Sequence, residues 1–263
     1  MCVVAFAWRA HPRWRLVLIG NRDEFHGRPS AAVAPWPGTA ILAGRDLQAG
    51  GTWAGVDEHG RCAVVTNIRA DAGTPAARSR GDLPIAFLTS APDPGTRQAL
   101  ADEITAAADQ YAPFNLLLAD RDQCQVLSNR PRPAVQAVAP GIHGLTNGGF
   151  LSHWPKAQAL CRALARWLNA TAADTEVDAN ANDLAPLWTA LQDRQPFPDQ
   201  TLPDTGVGLA LERRLSPVFI NGSEYGTRAC TLIAIDQAGK GWIRERRFGP
   251  EGVALGESQL AIG

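Results

Sequence analysis

Short runs of apolar residues, separated by polar turns, recur along the chain and predict β-strands. The runs are apolar on both faces, which is typical of strands covered by a second sheet on one side and by helices on the other. They comprise residues 2–8, 14–20, 52–56, 61–67, 114–119 and 230–235. A sheet with one solvated face would alternate more cleanly, so the pattern predicts a layered α+β structure.

Helical periodicity appears in the middle of the chain, where apolar residues repeat every three or four positions. One helix is predicted after the start signal Asp93-Pro94 and a second after Trp154-Pro155. Two shorter helices are predicted to begin at Asp82 and Asp183. Segments 171–182 and 194–208 are predicted to be mobile loops. Because no repeat or change of composition divides the chain, we expect residues 1–263 to form one domain.

The second residue, Cys2, lies next to the chain start and opens the first apolar run. An initiator methionine followed by a small residue is removed, so the mature chain would begin with a cysteine that carries a free α-amine. An α-amine has a reference pKa of about 7.7 to 8.0 and is able to take the proton of its own thiol. Cys2 is therefore a candidate nucleophile. A second interpretation, an ordinary buried core cysteine, stays open.

A polar segment, Asn21-Arg22-Asp23-Glu24, directly follows the second apolar run. If residues 2–8 and 14–21 form a hairpin through the turn at 10–13, this segment returns beside Cys2. The hairpin would bring Asp23 close to the chain start. A solvated turn at a strand end is the alternative interpretation.

Composition narrows the class of protein. A hydrophobic content of 45% in 263 residues can fill a core, and a net charge of −1 lacks the basic excess of a nucleic-acid surface. The five cysteines are odd in number and lack C-x-x-C or Cys/His metal spacing, which favours a reducing compartment. No run approaches the roughly 18 apolar residues of a membrane span. We expect a cytoplasmic protein without a metal, a nucleic-acid partner or a membrane span; the oligomeric state stays open.

A series of short motifs follows in order over nearly the whole chain and resembles the NRDE, or transport-and-Golgi-organisation, family. The motifs are Met1-Cys2, Asn21-Arg22-Asp23-Glu24, Arg28-Pro29, Gly50-Gly51-Thr52-Trp53, Thr66-Asn67, Ser79-Arg80-Gly81-Asp82, Phe114-Asn115-Leu116-Leu117, His143-Gly144-Leu145-Thr146-Asn147-Gly148, Trp154-Pro155-Lys156 and Tyr225-Gly226-Thr227-Arg228. The resemblance implies a four-layer αββα N-terminal-nucleophile hydrolase-like sandwich of two antiparallel sheets.

More distantly, the chain resembles the choloylglycine hydrolase and penicillin V acylase group, whose N-terminal cysteine cleaves amides. That resemblance implies that Cys2 is the nucleophile, with its own amine as base, and that Asp23 orients the pair. It implies that Asn67 and Asn147 contribute the oxyanion site and that Arg228 completes the polar network. Fixed donors of this kind are typically worth about 3 to 4 kcal/mol to a tetrahedral transition state.

Alternatives remain for these side chains. The acylase pattern has an arginine three residues before the aspartate, where this chain has Gly20, whereas Arg22 directly precedes Asp23. Neighbours on a strand point to opposite faces, so Arg22 and Asp23 need not share a site. Arg22 and Trp53 are nevertheless candidates for substrate binding, and a buried Asp23 would need Arg22 or Arg228 as a cationic partner.

Structural roles are open as well: strand-end or turn positions for Asn67 and Asn147, a supporting salt bridge for Arg228, and packing in a tight turn for Trp53.

From these expectations we predict that the protein is an N-terminal cysteine amidohydrolase or acyl-transfer enzyme that acts on a small amide, ester or thioester. The alternative is a non-catalytic protein of haem trafficking or lipid metabolism that holds haem or a lipid/acyl-CoA ligand in the same cleft, since the resemblance implies both links. The expected partner is thus a small acyl compound or an apolar ligand. No cofactor is required in the first function, and haem would be a ligand in the second.

Overall fold

Two antiparallel sheets form the centre of the computed structural model, which describes residues 3–69, 76–150, 152–171 and 184–263. The strands are β1 (Val3–Trp8), β2 (Trp14–Phe25), β3 (Ser30–Pro35), β4 (Ile41–Asp46), β5 (Ala54–Asp57), β6 (Cys62–Asn67), β7 (Phe114–Ala119), β8 (Cys124–Ser128), β9 (Ala134–Ala137), β10 (Gly141–Leu145), β11 (Tyr225–Asp236), β12 (Gly241–Phe248) and β13 (Ala254–Ile262). The helices are α1 (Asp82–Thr89), α2 (Pro94–Ala106), α3 (Pro155–Ala170), α4 (Ala185–Leu191) and α5 (Leu209–Leu215).

The six-stranded sheet has the order β10-β1-β2-β11-β12-β13, and the seven-stranded sheet runs from β3 to β9 in chain order. Side chains such as Phe6, Leu18, Leu117 and Ile233 fill the core between the sheets. On the outer faces, α3 and α4 pack on the six-stranded sheet, and α1 and α2 pack on the seven-stranded one. The predicted α+β sandwich of two antiparallel sheets is confirmed, with helices on both outer sides.

The predicted hairpin between the first two strands is also confirmed, because Val3 pairs with Asn21 and Trp8 with Leu16. The predicted end of the second strand at Gly20 is wrong. β2 continues to Phe25, because the polar half of β2 pairs with β11. In this pairing Thr227 lies opposite Asp23. Asn21 to Glu24 therefore form strand rather than a solvated turn.

Helix starts follow the sequence signals where the structure describes them. α1 begins at Asp82 and α3 at Pro155, and the Asp93 side chain caps α2 by accepting the Thr96 N–H at 2.9 Å. α2 ends at Ala106, and a 3₁₀ turn at Ala108–Gln110 follows it. The predicted start at Asp183 and residues 172–182 of the predicted loop lie outside the described residues. Within the described residues, no helix has the length and apolar character needed to cross a membrane.

Candidate functional site

A cleft of about 580 Å³ opens where the polar half of β2 meets the seven-stranded sheet. Its walls come from the end of β2, the β4–β5 connection, the end of β6 and the segment before α1. They include Arg22, Asp23, Glu24, Arg28, Asp46, Thr52, Trp53, Asn67, Arg78, Arg80 and Tyr225. Of the predicted site residues, Arg22, Asp23, Trp53 and Asn67 line this one cleft.

Cys2 lies outside the described residues, so the structure does not place its thiol. Val3, to which Cys2 is bonded, is fully buried and pairs with Asn21, two residues before Asp23. β1 therefore begins beside the strand segment that leads into the cleft.

Asp23 is buried and receives a hydrogen bond from across the β2–β11 pair. Thr227 Oγ1 donates to Asp23 Oδ1 at 2.7 Å and accepts the Ile220 N–H at 2.9 Å. Alternation along β2 puts Asp23 on the face of Ile19, which packs against the helical layer. Burial and, after it, the charge of Asp23 raise the pKa of Cys230, which belongs to the same layer. Its carboxylate is therefore held by a hydroxyl.

Arg22 lies on the opposite face of β2. Its guanidinium carbon is 4.6 Å from the centroid of the Trp53 ring, and Nη2 is 3.6 Å from a carboxylate oxygen of both Glu24 and Asp46. Arg28 Nε donates to the same Asp46 oxygen at 2.6 Å. Strand alternation thus puts the Arg22 and Asp23 side chains on opposite faces of β2.

Close backbone approaches hold Trp53 in place. A Cβ at Gly44 would meet the Trp53 ring at 2.4 Å, so the indole packs directly against a glycine. A Cβ at Gly51 would meet the Gly81 backbone at 2.5 Å, and the Thr52 N–H donates to the Gly81 carbonyl at 3.1 Å. The motifs at 50–53 and 79–82 thus form one wall of the cleft.

Asn67 and Asn147 come from different sheets and bond to each other. Asn147 Nδ2 donates to Asn67 Oδ1 at 2.7 Å and to the Asn67 carbonyl at 3.0 Å. Beneath them, the buried Asn115 donates to the Gly148 carbonyl at 2.8 Å and to Thr66 Oγ1 at 3.3 Å. Both asparagines are candidate site residues from the sequence, and in the structure their side chains are hydrogen-bonded to each other.

Arg228 holds the turn that follows β2. Its Nη1 donates to the carbonyls of Phe25, His26 and Arg28 at 2.9, 3.2 and 3.0 Å. Burial and the nearby Arg22 lower the pKa of Arg228, and Glu24 opposes them. These three bonds fix the backbone of the turn between β2 and β3.

Sequence reasoning missed Thr227, Asn115 and Glu245. Thr227 and Asn115 lie inside the motifs of the family resemblance, and these motifs were the only sign in the sequence that the two residues matter. Their hydrogen-bond partners are distant along the chain, so the sequence did not indicate their roles. Glu245 stands among Arg244, Arg246 and Arg247 on β12, in a run of charges that indicates solvent exposure. Arg244 is nevertheless buried, and Glu245 beside it is fully buried.

The four cysteines of the described residues are poor nucleophiles. Burial raises the pKa of Cys62 to about 12 and that of Cys161 to about 11, and it raises the pKa of Cys124 and Cys230 as well. A thiol needs its thiolate form to attack, so none of these four fits a catalytic role.

Comparisons with known proteins agree with this architecture. The model of the family described as "Transport and Golgi organisation 2" matches residues 1–250. The Mus musculus Transport and Golgi organization 2 homolog is 29% identical over 94% of this chain and 92% of its own length, and the Bos taurus homolog is 30% identical over the same shares. A mutant conjugated bile acid hydrolase from Clostridium perfringens superposes with a TM-score of 0.53 at 8% identity, over 100% of this chain and 92% of that one. The last likeness shows the fold, that of the N-terminal-nucleophile hydrolases.

Proposed function

We propose that this chain, which belongs to the Transport and Golgi organisation 2 family, is an N-terminal cysteine hydrolase or acyltransferase for a small amide, ester or thioester. The observation that carries the proposal is the meeting of three features at one place. The fold is that of an N-terminal-nucleophile hydrolase, Val3 at the start of β1 pairs with Asn21, and the same segment of β2 leads into a cleft lined by Asp23 and Asn67.

In this reaction the α-amine of Cys2 takes the thiol proton, and the thiolate attacks the substrate carbonyl carbon to form a C–S bond. The carbonyl oxygen becomes an oxyanion that needs a fixed donor. Asn67 accepts from Asn147 through Oδ1, so Nδ2 is the end of its amide that can donate. The C–N, C–O or C–S bond then breaks, and the leaving group takes the proton from the α-amine. Water or an acceptor alcohol or amine releases the acyl group by the reverse sequence.

The Asp23 carboxylate supplies negative charge near the chain start, where it would favour the protonated α-amine formed during the attack. Its bond from Thr227 fixes the carboxylate without neutralising it. Arg22, stacked on Trp53 at the cleft wall, would bind the polar part of the substrate.

The rival function, a carrier of haem or of a lipid or acyl-CoA ligand, fits the lining less well. A site for an apolar ligand is lined mainly by apolar and aromatic side chains. Arginines and carboxylates from β2, β4 and the segment before α1 dominate this cleft. A charged lining favours a reaction centre for a polar group.

The test is a Cys2→Ala variant, with Cys161→Ala as the matched control for loss of a thiol. Acid release from a panel of acyl amides, esters and thioesters should disappear in Cys2→Ala and persist in Cys161→Ala, and intact-mass spectra should show an acyl adduct on a wild-type chain that lacks Met1. No adduct and no turnover across the panel, together with tight haem or acyl-CoA binding that survives Cys2→Ala, would favour the carrier. A changed Soret band in Cys2→Ala would identify Cys2 as a haem ligand.

A further inference from the structure

A second, smaller cavity of about 30 Å³, partly open to solvent, lies behind the cleft wall. Arg22 and Trp53 line both cavities, so their stacked side chains stand between the two. The remaining polar lining includes Arg228, Glu245 and Arg247. A volume of this size holds one water molecule or one ion of similar radius.

Three residues around this cavity each carry a buried polar atom that has no hydrogen-bond partner within the described residues: Arg228 Nε, Arg247 Nε and Glu245 Oε2. Another polar atom of each side chain is engaged, that of Arg228 being Nη1 in its bonds to the turn after β2. Glu245 Oε1 accepts the Val33 N–H at 3.1 Å, and Arg247 Nη2 donates to the Leu255 carbonyl at 3.3 Å. A buried polar group without a partner costs about 1 to 3 kcal/mol, so three around one small cavity point to a ligand.

The hydrogen-bond donors and the charges around this cavity indicate which kind of ligand it would bind. Two guanidinium N–H groups can only donate, and a protonated Glu245 adds a third donor, a set suited to an acceptor-only ligand. Arg22, Arg228 and Arg247 bring positive charge to the cavity, whereas Glu24 and Asp46 face Arg22 from the cleft side. We propose that this cavity binds one monovalent anion of chloride size, taken up together with a proton on Glu245.

The electrostatics of Glu245 agree with joint uptake. Burial raises the pKa of its carboxyl to about 7, although the Val33 N–H, Arg247 and Arg22 lower it in part. An anion beside the carboxylate would repel its charge, so the protonated form is the one that binds. Since Arg22 is shared with the cleft, occupancy would change the charge that a substrate meets there.

Bromide is the probe, because it resembles chloride in size and can be located by anomalous scattering. The midpoint of thermal unfolding is measured against bromide at constant ionic strength, with gluconate, too large for the cavity, as the balancing anion. Bromide should stabilise the protein saturably. Its apparent Kd should be about tenfold weaker at pH 8 than at pH 6, because roughly a tenth of Glu245 stays protonated at pH 8.

Three variants sharpen the test. Glu245→Gln keeps a donor that does not titrate, so bromide should bind it equally at pH 6 and pH 8. Arg247→Gln removes a guanidinium donor and should weaken binding about tenfold or more. Arg246→Gln, on the neighbouring residue that pairs with Glu257 outside the cavity, is the matched control and should bind bromide like the wild type.

A bromide peak in this cavity at pH 6, with these ratios, supports the site. No bromide peak there, a wild-type ratio near one, or equal effects of the Arg247 and Arg246 substitutions would overturn it. The wild-type pH ratio and peak need no variant, so the proposal stays testable if a substitution prevents folding. Neither readout depends on turnover of an acyl substrate.

Discussion

At the scale of single residues, Arg22 and Asp23 show that neighbours in a sequence motif can have different surroundings in the structure. They are neighbours in the chain, but strand alternation sends one to Trp53 and the other to Thr227. The alternation could be foreseen from the sequence, because it follows from strand geometry alone. The Thr227 partner could not, because 204 residues separate it from Asp23 and only the β2–β11 pairing brings it close.

Replacing Asp23 with Asn should slow alkylation of Cys2 by tenfold or more while leaving stability nearly unchanged, because the amide oxygen can still accept from Thr227. Thr227→Val is the matched variant: it keeps the carboxylate charge, retains Cys2 reactivity and loses about 1 to 2 kcal/mol of stability. Iodoacetamide rates and urea unfolding of both variants decide this. An unchanged alkylation rate of Cys2 in Asp23→Asn would mean that Asp23 does not act on the Cys2 thiol.

Glu245 should make stability depend on pH. Its pKa is raised from 4.5 to about 7 in the fold, so the folded state binds the proton more tightly and the contribution is lost as pH rises through 7. Between pH 5 and pH 8, wild-type stability should fall relative to Glu245→Gln by about 2 to 3 kcal/mol. Urea titrations in gluconate at both pH values measure the difference. Parallel pH curves for the two proteins would contradict the buried carboxyl.

Gly51 should tolerate no side chain, because a Cβ there would meet the Gly81 backbone at 2.5 Å and neither backbone can yield easily. Gly51→Ala should cost about 1 to 3 kcal/mol and disturb the neighbouring Trp53. Gly27→Ala is the control, since nothing lies within 4 Å of its Cβ position. Thermal unfolding and tryptophan fluorescence compare the two. Equal stability of both variants would mean that the two glycine motifs are not in contact.

At the scale of elements, apolar strands could be predicted and charged or short ones could not. β7 matches the prediction from Phe114 to Ala119 because all six of its residues are buried. β9 has only four residues and is exposed throughout. β12 carries four charged residues in succession, Arg244 to Arg247, and forms a strand because β11 and β13 pair with it on both sides. Such elements depend on their neighbours rather than on their own sequence.

Substitution of Asn115 tests how β7 and the segment after β10, which belong to different sheets, are held together beneath the Asn67–Asn147 pair. Asn115→Ala should remove the bonds to Gly148 and Thr66, cost about 1 to 3 kcal/mol, and reduce the rate of acyl-enzyme formation. Asn129→Ala is the matched control: Asn129 is equally buried and makes three backbone bonds, to Ala108, Tyr111 and Phe114. It should lose similar stability with an unchanged rate. Equal rate losses in both variants would make Asn115 a purely structural residue.

At the scale of the whole molecule, the layers could be predicted because strands apolar on both faces need covering on both sides. The same layering distributes the cysteines. Cys62 and Cys124 belong to the core between the sheets, and Cys161 and Cys230 belong to the layer beneath α3 and α4. The sequence indicated a reducing environment for them, but only the packing explains why they differ from an N-terminal thiol.

This distribution predicts the order of alkylation in the native protein. With a pKa of about 11, Cys161 has a thiolate fraction near 10⁻⁴ at pH 7, whereas an ordinary thiol of pKa about 8.5 has a few per cent. Cys2, with its α-amine and Asp23 nearby, should therefore react with iodoacetamide at least about a hundredfold faster than the other four. The buried Cys62, Cys124 and Cys230 should react only as fast as the protein unfolds, so moderate urea should accelerate these three together and leave Cys2 nearly unaffected. Peptide mapping after short exposures measures each site, and even labelling of all five cysteines, or a retained Met1, would argue against Cys2 as the nucleophile.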